Sequence, residues 1–208
     1  ISQYDHPICT DGWLDIHTAG GTKRIRIERL HLEEDAGKLM HGEGRTLLDC
    51  NRCGVPLIEI VSEPDIRTPQ EAAAYLQKLR AVIAYTGISD CKMNEGSLRC
   101  DVNLSVHKPG QPFGTRTEMK NLNSFQSVQR AIEEEYRRQV EAVERGETIV
   151  QETRRFDQQT GKTSAMRRKE NANDYRYFPD PDLAPIVTGE DTLDTWRKEL
   201  PVLPDQRK

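Results

Sequence analysis

The chain has 208 residues, of which 35% are hydrophobic and 31% are charged, so it can bury a core beneath a strongly charged surface. Lysine and arginine number 30 against 34 for aspartate and glutamate, a net charge of −4. This balance argues against an autonomous nucleic-acid-binding domain, because such domains are usually basic. No apolar run of about 18 residues occurs, so the sequence predicts no transmembrane helix.

Three strands are predicted in the first third of the chain. Residues 12–17 and 23–32 lie on either side of the turn signal "AGG". The alternation of the second strand slips near Glu28, which predicts a bulge just before an acidic run. Residues 56–61, "PLIEIV", predict a buried strand, and "HGEG" at 41–44 predicts a flexible loop.

The next element is a well-marked helix. Thr68 suits the N-cap, Pro69 suits the first helical position, and Glu71 would complete a capping box. Gly87 suits a left-handed cap at the C-terminal end. These signals predict a helix between residues 68 and 87.

A hairpin with one polar face is predicted after this helix. Residues 98–106 alternate between apolar and polar side chains, and residues 115–120 form the expected returning strand. The polar face would carry charged and amide side chains, namely Arg99, Asp101, Asn103, Arg116, Glu118 and Lys120.

The remaining elements indicate a mixed fold. A second helix is predicted from Asn123 or Ser124 to Gly146. Its apolar stripe would comprise Phe125, Val128, Ile132, Tyr136, Val140 and Val143. A hairpin, a further strand and a last helix are predicted at 152–156 with 163–168, at 174–178 and at 191–200. Hairpins mixed with separate helices predict an α+β fold with a mostly antiparallel sheet.

The five cysteines are an odd number without a regular spacing. No secretory signal is visible, so reduced thiols in a cytosolic or organelle-matrix compartment are favoured. Cys50 and Cys53 form one C-x-x-C pair, whereas a structural zinc site needs four ligands. Cys91 and Cys100 lack the spacing of a second pair, which favours buried or incidental thiols over zinc.

Three acidic groups suggest metal-dependent chemistry. They are the run 33–35, the pair at 94–95 and the polar face of the predicted hairpin. Carboxylates and amides are ligands that magnesium prefers, and magnesium beside lysine or arginine suits phosphoryl transfer. The alternative is a solvated acidic face and ordinary cross-strand ion pairs. The spacing alone leaves both alternatives open.

Other catalytic templates are missing from the sequence. It contains no Walker A loop, no G-x-G-x-x-G, no G-x-S-x-G and no H-x-x-x-H pair. His31 is the histidine of most interest because it precedes the acidic run. The plainer interpretation of His31 is a partly buried strand histidine.

Several long motifs occur in one order along nearly the whole chain. They are "RLHLEEDAGK", "NRCGVPLIEIVSEPDIRTPQEA", "EGSLRCDVNLSV", "RTEMKNLNSF", "QETRRFD" and "DYRYFPDPDL". Together they resemble the B subunits of the tRNA-dependent glutamyl/aspartyl amidotransferases. The resemblance is specific because so many motifs agree at once.

The resemblance implies a ligase that forms carbon–nitrogen bonds with glutamine as amido donor. In this family the B subunit uses ATP and magnesium to phosphorylate the side-chain carboxylate of glutamate on tRNA(Gln) or of aspartate on tRNA(Asn). Ammonia released by the amidase A subunit then displaces the phosphate. The implied partners are the A subunit, a small C subunit and a mischarged aminoacyl-tRNA, with no membrane. The implied location is the bacterial cytoplasm or an organelle matrix.

The resemblance also implies which residues form the site. Glu33 and Glu34 would lie at the reaction centre, with Glu34 as the essential acid, and Lys38 would bind phosphate. The implied metal ligands are Glu34, Glu95, Asp101 and Glu118. The implied ATP or substrate contacts are Arg99, Asn103, Lys120 and Arg176. Asp174, Arg176, Asp180 and Asp182 form a third, weaker set.

The same resemblance sets expectations for domain organisation. Residues 1–190 would form a cradle-shaped catalytic domain, and 191–208 would begin a region leading to tRNA-binding domains. Family members start with a strand reading roughly "GLEVHxQL", whose glutamate and histidine help to bind metal. That strand has no counterpart here, so we expect an excerpt with an incomplete site.

Two other functions are consistent with parts of the sequence. A non-catalytic scaffold for tRNA or for the A subunit would account for the acidic net charge. A magnesium-dependent phosphotransferase or nuclease unrelated to tRNA charging would account for the carboxylates, although it leaves the ordered motifs unexplained.

Overall fold

The computed structural model of the protein describes residues 6–168, 182 and 184–207. Within them the strands are β1 Cys9–Thr18, β2 Gly21–Glu34, β3 Lys38–Gly42, β4 Arg45–Asp49, β5 Pro56–Ser62, β6 Cys100–Leu104, β7 Thr117–Leu122, β8 Glu152–Asp157 and β9 Lys162–Arg168. The helices are α1 Pro69–Thr86, α2 Phe125–Glu144 and α3 Glu190–Glu199, with 3₁₀ turns at Met93–Glu95 and Pro204–Arg207. The predicted α+β class is confirmed. The strand predicted at 174–178 lies outside the described residues.

The described residues fall into two compact units. The first contains residues 6–15, 24–65, 182 and 184–188, and the second contains residues 16–23, 66–168 and 189–207. The predicted boundary at residue 190 stays a prediction. None of the helices in the described part of the chain is long and apolar enough to cross a membrane.

The sheet containing β2 has the strand order β1-β2-β5. The antiparallel register between β2 and β5 shifts between Ile27 and Arg29, which confirms the predicted bulge at Glu28. The strand at "PLIEIV" is also confirmed, although its side chains are only partly buried. β2 continues through Glu34, so two of the three consecutive acids belong to the strand.

A separate hairpin, β3–β4, occupies the region where a flexible loop was predicted at "HGEG". That prediction was wrong, because β3 and β4 pair from Lys38 with Asp49 to Gly42 with Arg45. Gly44 supplies the positive φ of 71° that this short turn uses. Every residue of β3 is exposed, so apolar periodicity gave no signal for this strand.

The core of the second unit lies between α1, α2 and a four-stranded sheet of order β6-β7-β8-β9. The pairing of β7 with β8 is parallel, and the other two pairings are antiparallel. The core side chains are Ala72, Leu76, Met119, Leu122, Val128, Ala131 and Phe156. The helix caps formed as predicted. Thr68 accepts the Glu71 N–H at 3.1 Å, Gly87 is left-handed, and Ser124 caps α2.

The buried face of α2 differs from the predicted apolar stripe. Tyr136 and Val143 are 58% and 47% exposed, whereas Glu135 and Gln139 are fully buried. Thr117 donates to Glu135 Oε1 at 2.8 Å, and Arg154 Nε lies 3.2 Å from Glu135 Oε2. Hydrogen bonds satisfy the Glu135 carboxylate and Gln139 Nε2, although Gln139 Oε1 has no partner among the described residues. The face of α2 toward the sheet therefore tolerates these polar side chains. The periodicity of apolar residues alone could not reveal this.

Candidate functional site

The three consecutive acids at 33–35 have different environments. Glu33 lies 3.2 Å from His31 Nε2. Glu34 is exposed and stands opposite Pro56 in the register of β2 and β5. Asp35 accepts a hydrogen bond of 2.7 Å from Arg52 Nε. Side chains alternate along a strand, so Glu34 lies on the face opposite to that of Glu33.

A histidine and two carboxylates form a compact group in the first unit. His31 and Glu33 share one face of β2, and Glu59 stands directly opposite His31 on β5. His31 Nε2 lies 3.2 Å from Glu33 Oε1 and 2.9 Å from Glu59 Oε2. The His31 side chain is fully buried, whereas Glu33 and Glu59 are 26% and 52% exposed. The group is therefore anchored at the histidine and open at the carboxylates.

This group has the composition of a possible metal site. One ligand atom from each of its three residues falls within 4.8 Å of the others. Both oxygens near His31 Nε2 are carboxylate acceptors, so this nitrogen carries the proton in this arrangement. Magnesium is usually held by one or two carboxylates and completes its shell with water and phosphate oxygens. Glu33 and Glu59 fit that requirement, and His31 orients both.

Other residues predicted for the first unit lie in exposed positions. Lys38 begins β3 and is exposed. Cys50 and Cys53 are exposed free thiols, and the Cys53 N–H donates to the Cys50 carbonyl at 3.0 Å. Within the described part of the chain, the possible metal-ligand group contains no cysteine. The interpretation of these thiols as incidental stays a prediction.

A second polar cluster lies on one face of the sheet in the second unit. Lys120 Nζ donates to Asp101 Oδ2 at 2.6 Å and lies 3.4 Å from Glu118 Oε1. Thr153 donates to Glu118 Oε2 at 3.0 Å, and Asn103 stands opposite Glu118 in the register. The sheet therefore gathers four of the predicted residues on one face.

The acidic neighbours of Lys120 raise the pKa of its ammonium group. Partial burial alone would lower the pKa of the ammonium group. The hydrogen bond to Asp101 and the charges of Asp101 and Glu118 outweigh this effect, so the pKa of Lys120 is raised above its ordinary value. Lys120 is therefore a firmly charged ammonium group at neutral pH.

The remaining predicted site residues have separate environments or lie outside the described residues. Glu95 is exposed in its 3₁₀ turn and accepts from Lys92 Nζ at 3.1 Å. Arg99 is exposed just before β6, and Asp182 is exposed. Asp174, Arg176 and Asp180 lie outside the described residues. The predicted convergence of the acidic groups from both units stays a prediction.

Sequence reasoning missed Glu59 and Thr153. Glu59 is the only charged residue of "PLIEIV", and a lone acid within an apolar strand was a signal that could have been used. Thr153 gave no such signal, because its role depends on the parallel pairing that puts it beside Glu118. Register between distant strands is not visible in a single sequence.

Comparison with known proteins supplies independent information. A family model described as the GatB/GatE catalytic domain matches residues 1–194. The B subunit of the aspartyl/glutamyl-tRNA(Asn/Gln) amidotransferase of Caldicellulosiruptor saccharolyticus is 60% identical over 211 residues. The B subunits of the same name from Staphylococcus haemolyticus and Caldanaerobacter subterraneus subsp. tengcongensis are 59% and 57% identical over 209 and 210 residues.

These matches cover 100% of this chain and 44% of each relative, so the chain spans less than half the length of these proteins. The matches nevertheless include every residue discussed above. The resemblance seen in the sequence motifs is thereby confirmed: the chain belongs to the GatB family and carries its GatB/GatE catalytic domain over residues 1–194.

Proposed function

We propose that this chain is the catalytic region of the B subunit of a tRNA-dependent amidotransferase. The reaction is the ATP-dependent conversion of glutamate on tRNA(Gln), or of aspartate on tRNA(Asn), to the amide. The observation that carries the proposal is family membership over the whole chain, since its relatives are named as B subunits of aspartyl/glutamyl-tRNA(Asn/Gln) amidotransferases. The carboxylates beside His31 support the proposal, because they would hold the magnesium that such a reaction uses.

The proposed reaction has two balanced steps. A side-chain carboxylate oxygen of the aminoacyl-tRNA attacks the γ-phosphorus of ATP, and ADP leaves. The nitrogen of ammonia then attacks the acyl carbon, phosphate leaves with the former carboxylate oxygen, and the phosphate takes up the proton that the nitrogen loses. Phosphate is a good leaving group, so phosphorylation makes the otherwise unreactive carboxylate carbon reactive toward ammonia.

The residues of the first unit have distinct proposed roles. Glu33 and Glu59 would hold magnesium, which neutralises charge on the phosphates during transfer. His31 keeps the two carboxylates in place through its Nε2–H. Glu34 is exposed, so it can accept a proton from incoming ammonium. Lys38 is also exposed and would contact phosphate.

The cluster of the second unit is proposed to contact ATP or the acyl phosphate. Lys120 provides a persistent positive charge, and Asp101 and Glu118 fix its position. Arg99, Asn103 and Glu95 are proposed to complete these contacts, as is Arg176. Glutamine hydrolysed by an A subunit would supply the ammonia, a small C subunit would complete the assembly, and the bacterial cytoplasm or an organelle matrix is the proposed location.

The test uses the full-length protein together with its amidase partner. Glutamyl-tRNA(Gln), glutamine, magnesium and γ-labelled ATP are supplied, and glutaminyl-tRNA and released phosphate are measured. Wild type should form both products, Glu34→Gln and Glu33→Gln should form neither, and Glu43→Gln in the exposed β3–β4 turn should match wild type. Amide formation undiminished in Glu34→Gln would refute its role. A wild type that binds tRNA or the amidase but forms no amide would refute the proposed function in favour of a scaffold.

A further inference from the structure

Asn121 has a backbone conformation that non-glycine residues seldom adopt. Its φ is 69° inside β7, a left-handed value that costs most residues about 1–2 kcal/mol, although asparagine tolerates it better than most. Such a conformation within a strand persists when the surrounding structure stabilises it.

The left-handed residue creates a bulge beside the second polar cluster. Cys100 stands opposite Leu122, and Val102 stands opposite Met119. On β6 only Asp101 lies between the two paired positions, whereas on β7 both Lys120 and Asn121 lie between them. Bulges of this kind redirect side chains and often occur next to functional sites.

The bulge allows two core residues to lie three positions apart. In a regular strand Met119 and Leu122 would face opposite sides, yet they are 0% and 5% exposed and both belong to the core. The two buried side chains therefore anchor the bulged segment at both ends. Lys120 stays on the polar face, opposite the side occupied by Met119.

The side chain of Asn121 holds the bulge against the next strand. Its Nδ2 donates to the Phe156 carbonyl at 3.0 Å. The pairing of β7 with β8 runs from Glu118 with Thr153 to Lys120 with Arg155. The hydrogen bond from Asn121 to Phe156 therefore extends the contact between these two strands by one residue. Phe156 is fully buried and is therefore a fixed anchor.

We infer that Asn121 is a positioning residue, whose left-handed backbone and bond to Phe156 hold Lys120 against Asp101 and Glu118. The inference rests on the proposed function insofar as Lys120 contacts ATP or the acyl phosphate. The position of Lys120 relative to Asp101 and Glu118 concerns this chain alone. The positioning role of Asn121 and the proposed function can therefore be tested separately.

Two variants isolate the contribution of the hydrogen bond from the Asn121 side chain to the Phe156 carbonyl. Asn121→Gly accepts the positive φ and removes the donor. Asn121→Asp keeps the size and tolerates the conformation, but a carboxylate cannot donate to the Phe156 carbonyl. Asp11→Gly is the matched control, because Asp11 is another non-glycine residue with a positive φ, 57°, in β1.

The first readout is the reactivity of the Lys120 side chain in the full-length protein. The rate of acetylation by acetic anhydride is measured at one fixed pH, with the peptide containing Lys120 quantified by mass spectrometry. Wild type and Asp11→Gly should be acetylated at the same slow rate, and both Asn121 variants should be acetylated faster, because Lys120 is no longer held against Asp101 and Glu118. An unchanged acetylation rate of Lys120 in the two Asn121 variants would overturn the inference, whatever their thermal stability.

The second readout is a double-mutant cycle on the amidation rate. Asn121→Gly should lower the rate about threefold to tenfold, the range that one lost hydrogen bond represents. In a Lys120→Ala background the same change should have no further effect, because the residue it positions is gone. Effects that multiply would overturn the inference. If wild type makes no amide, the proposed function fails and the acetylation rate of Lys120 alone decides the role of Asn121.

Discussion

His31 and Glu59 face each other across β2 and β5, with His31 Nε2 2.9 Å from Glu59 Oε2. Glu33 approaches the same nitrogen from two residues along β2. The buried imidazole therefore brings together carboxylates that are far apart in the sequence. Glu59 therefore belongs to the same group as Glu33, although it lies outside the acidic run.

Removing either carboxylate should weaken divalent-metal binding. Glu33→Gln or Glu59→Gln in the full-length protein should lower the affinity for Mn²⁺ about tenfold or more, the usual cost of disturbing a metal ligand or its support. Glu28→Gln is the control, because Glu28 pairs with Arg29 outside the group. The measurement is titration followed by electron paramagnetic resonance. Equal affinities in wild type and all three variants would refute the assignment of this group as a metal site.

The buried carboxylate of α2 should make the stability of the second unit sensitive to acid. Burial opposes the ionisation of Glu135, but hydrogen bonds from Arg138, Gln139 and Thr117 outweigh it, so its pKa lies below the ordinary 4.5. Ionised Glu135 therefore stabilises the fold above pH 4.5, and this contribution disappears as the pH falls through the lowered pKa.

Glu135→Gln tests this contribution. At pH 7 it should lower the free energy of unfolding by about 3–5 kcal/mol, because it leaves Arg138 and Arg154 without their buried counter-charge. The difference from wild type, measured by urea denaturation, should shrink as the pH falls below 4.5. Glu133→Gln on the exposed side of α2 is the control. A difference that stays constant with pH would contradict the account.

Gly114 should tolerate no side chain. A Cβ atom at this position would clash with the Val106 carbonyl oxygen, whereas one at Gly20 would make an ordinary contact of 3.6 Å with Thr18 Oγ1. Gly114→Ala should therefore cost about 1–3 kcal/mol, as overpacking does, and Gly20→Ala should cost much less. Thermal unfolding of the two variants measures this, and equal melting temperatures would contradict the close approach.

Tyr75→Phe should leave stability unchanged or raise it. The Tyr75 hydroxyl is buried and has no hydrogen-bond partner among the described residues, and burial raises its pKa to about 12. Removing a buried, unsatisfied hydroxyl relieves its desolvation cost. Chemical denaturation should show a gain of about 0–2 kcal/mol, and a loss of more than about 1 kcal/mol would show that the hydroxyl is satisfied.

Local signals in the sequence predicted the elements well. Thr68, Pro69 and Gly87 act through their own backbone geometry, so each could be recognised without tertiary information. The bulge at Glu28 was visible because the parity of apolar residues changes within one strand. The hairpin at 38–49 was missed because all of its strand residues except Asp49 are exposed, so they carry no periodic burial pattern.

The candidate site was less predictable because it depends on register. The sequence analysis placed Glu33 and Glu34 together at the reaction centre and favoured Glu34 as the essential acid. The pairing of β2 with β5 puts Glu33 beside His31 and Glu59, and Glu34 on the opposite face. Likewise, hydrophobic periodicity assigned Tyr136 to the buried side of α2, whereas hydrogen bonds from Thr117 and Arg138 allow Glu135 to be buried instead. Tertiary partners overrode the local preference in both cases.

The most direct test of the central claim follows one oxygen atom. Glutamyl-tRNA(Gln) labelled with ¹⁸O in its side-chain carboxylate is supplied, with ATP and glutamine, to the full-length protein and its amidase partner. If the carboxylate is activated by phosphorylation, each phosphate released should contain one ¹⁸O atom. The amount of labelled phosphate should equal the amount of glutaminyl-tRNA formed. Amide formed with unlabelled phosphate would contradict phosphorylation of the carboxylate and with it the proposed role of this chain.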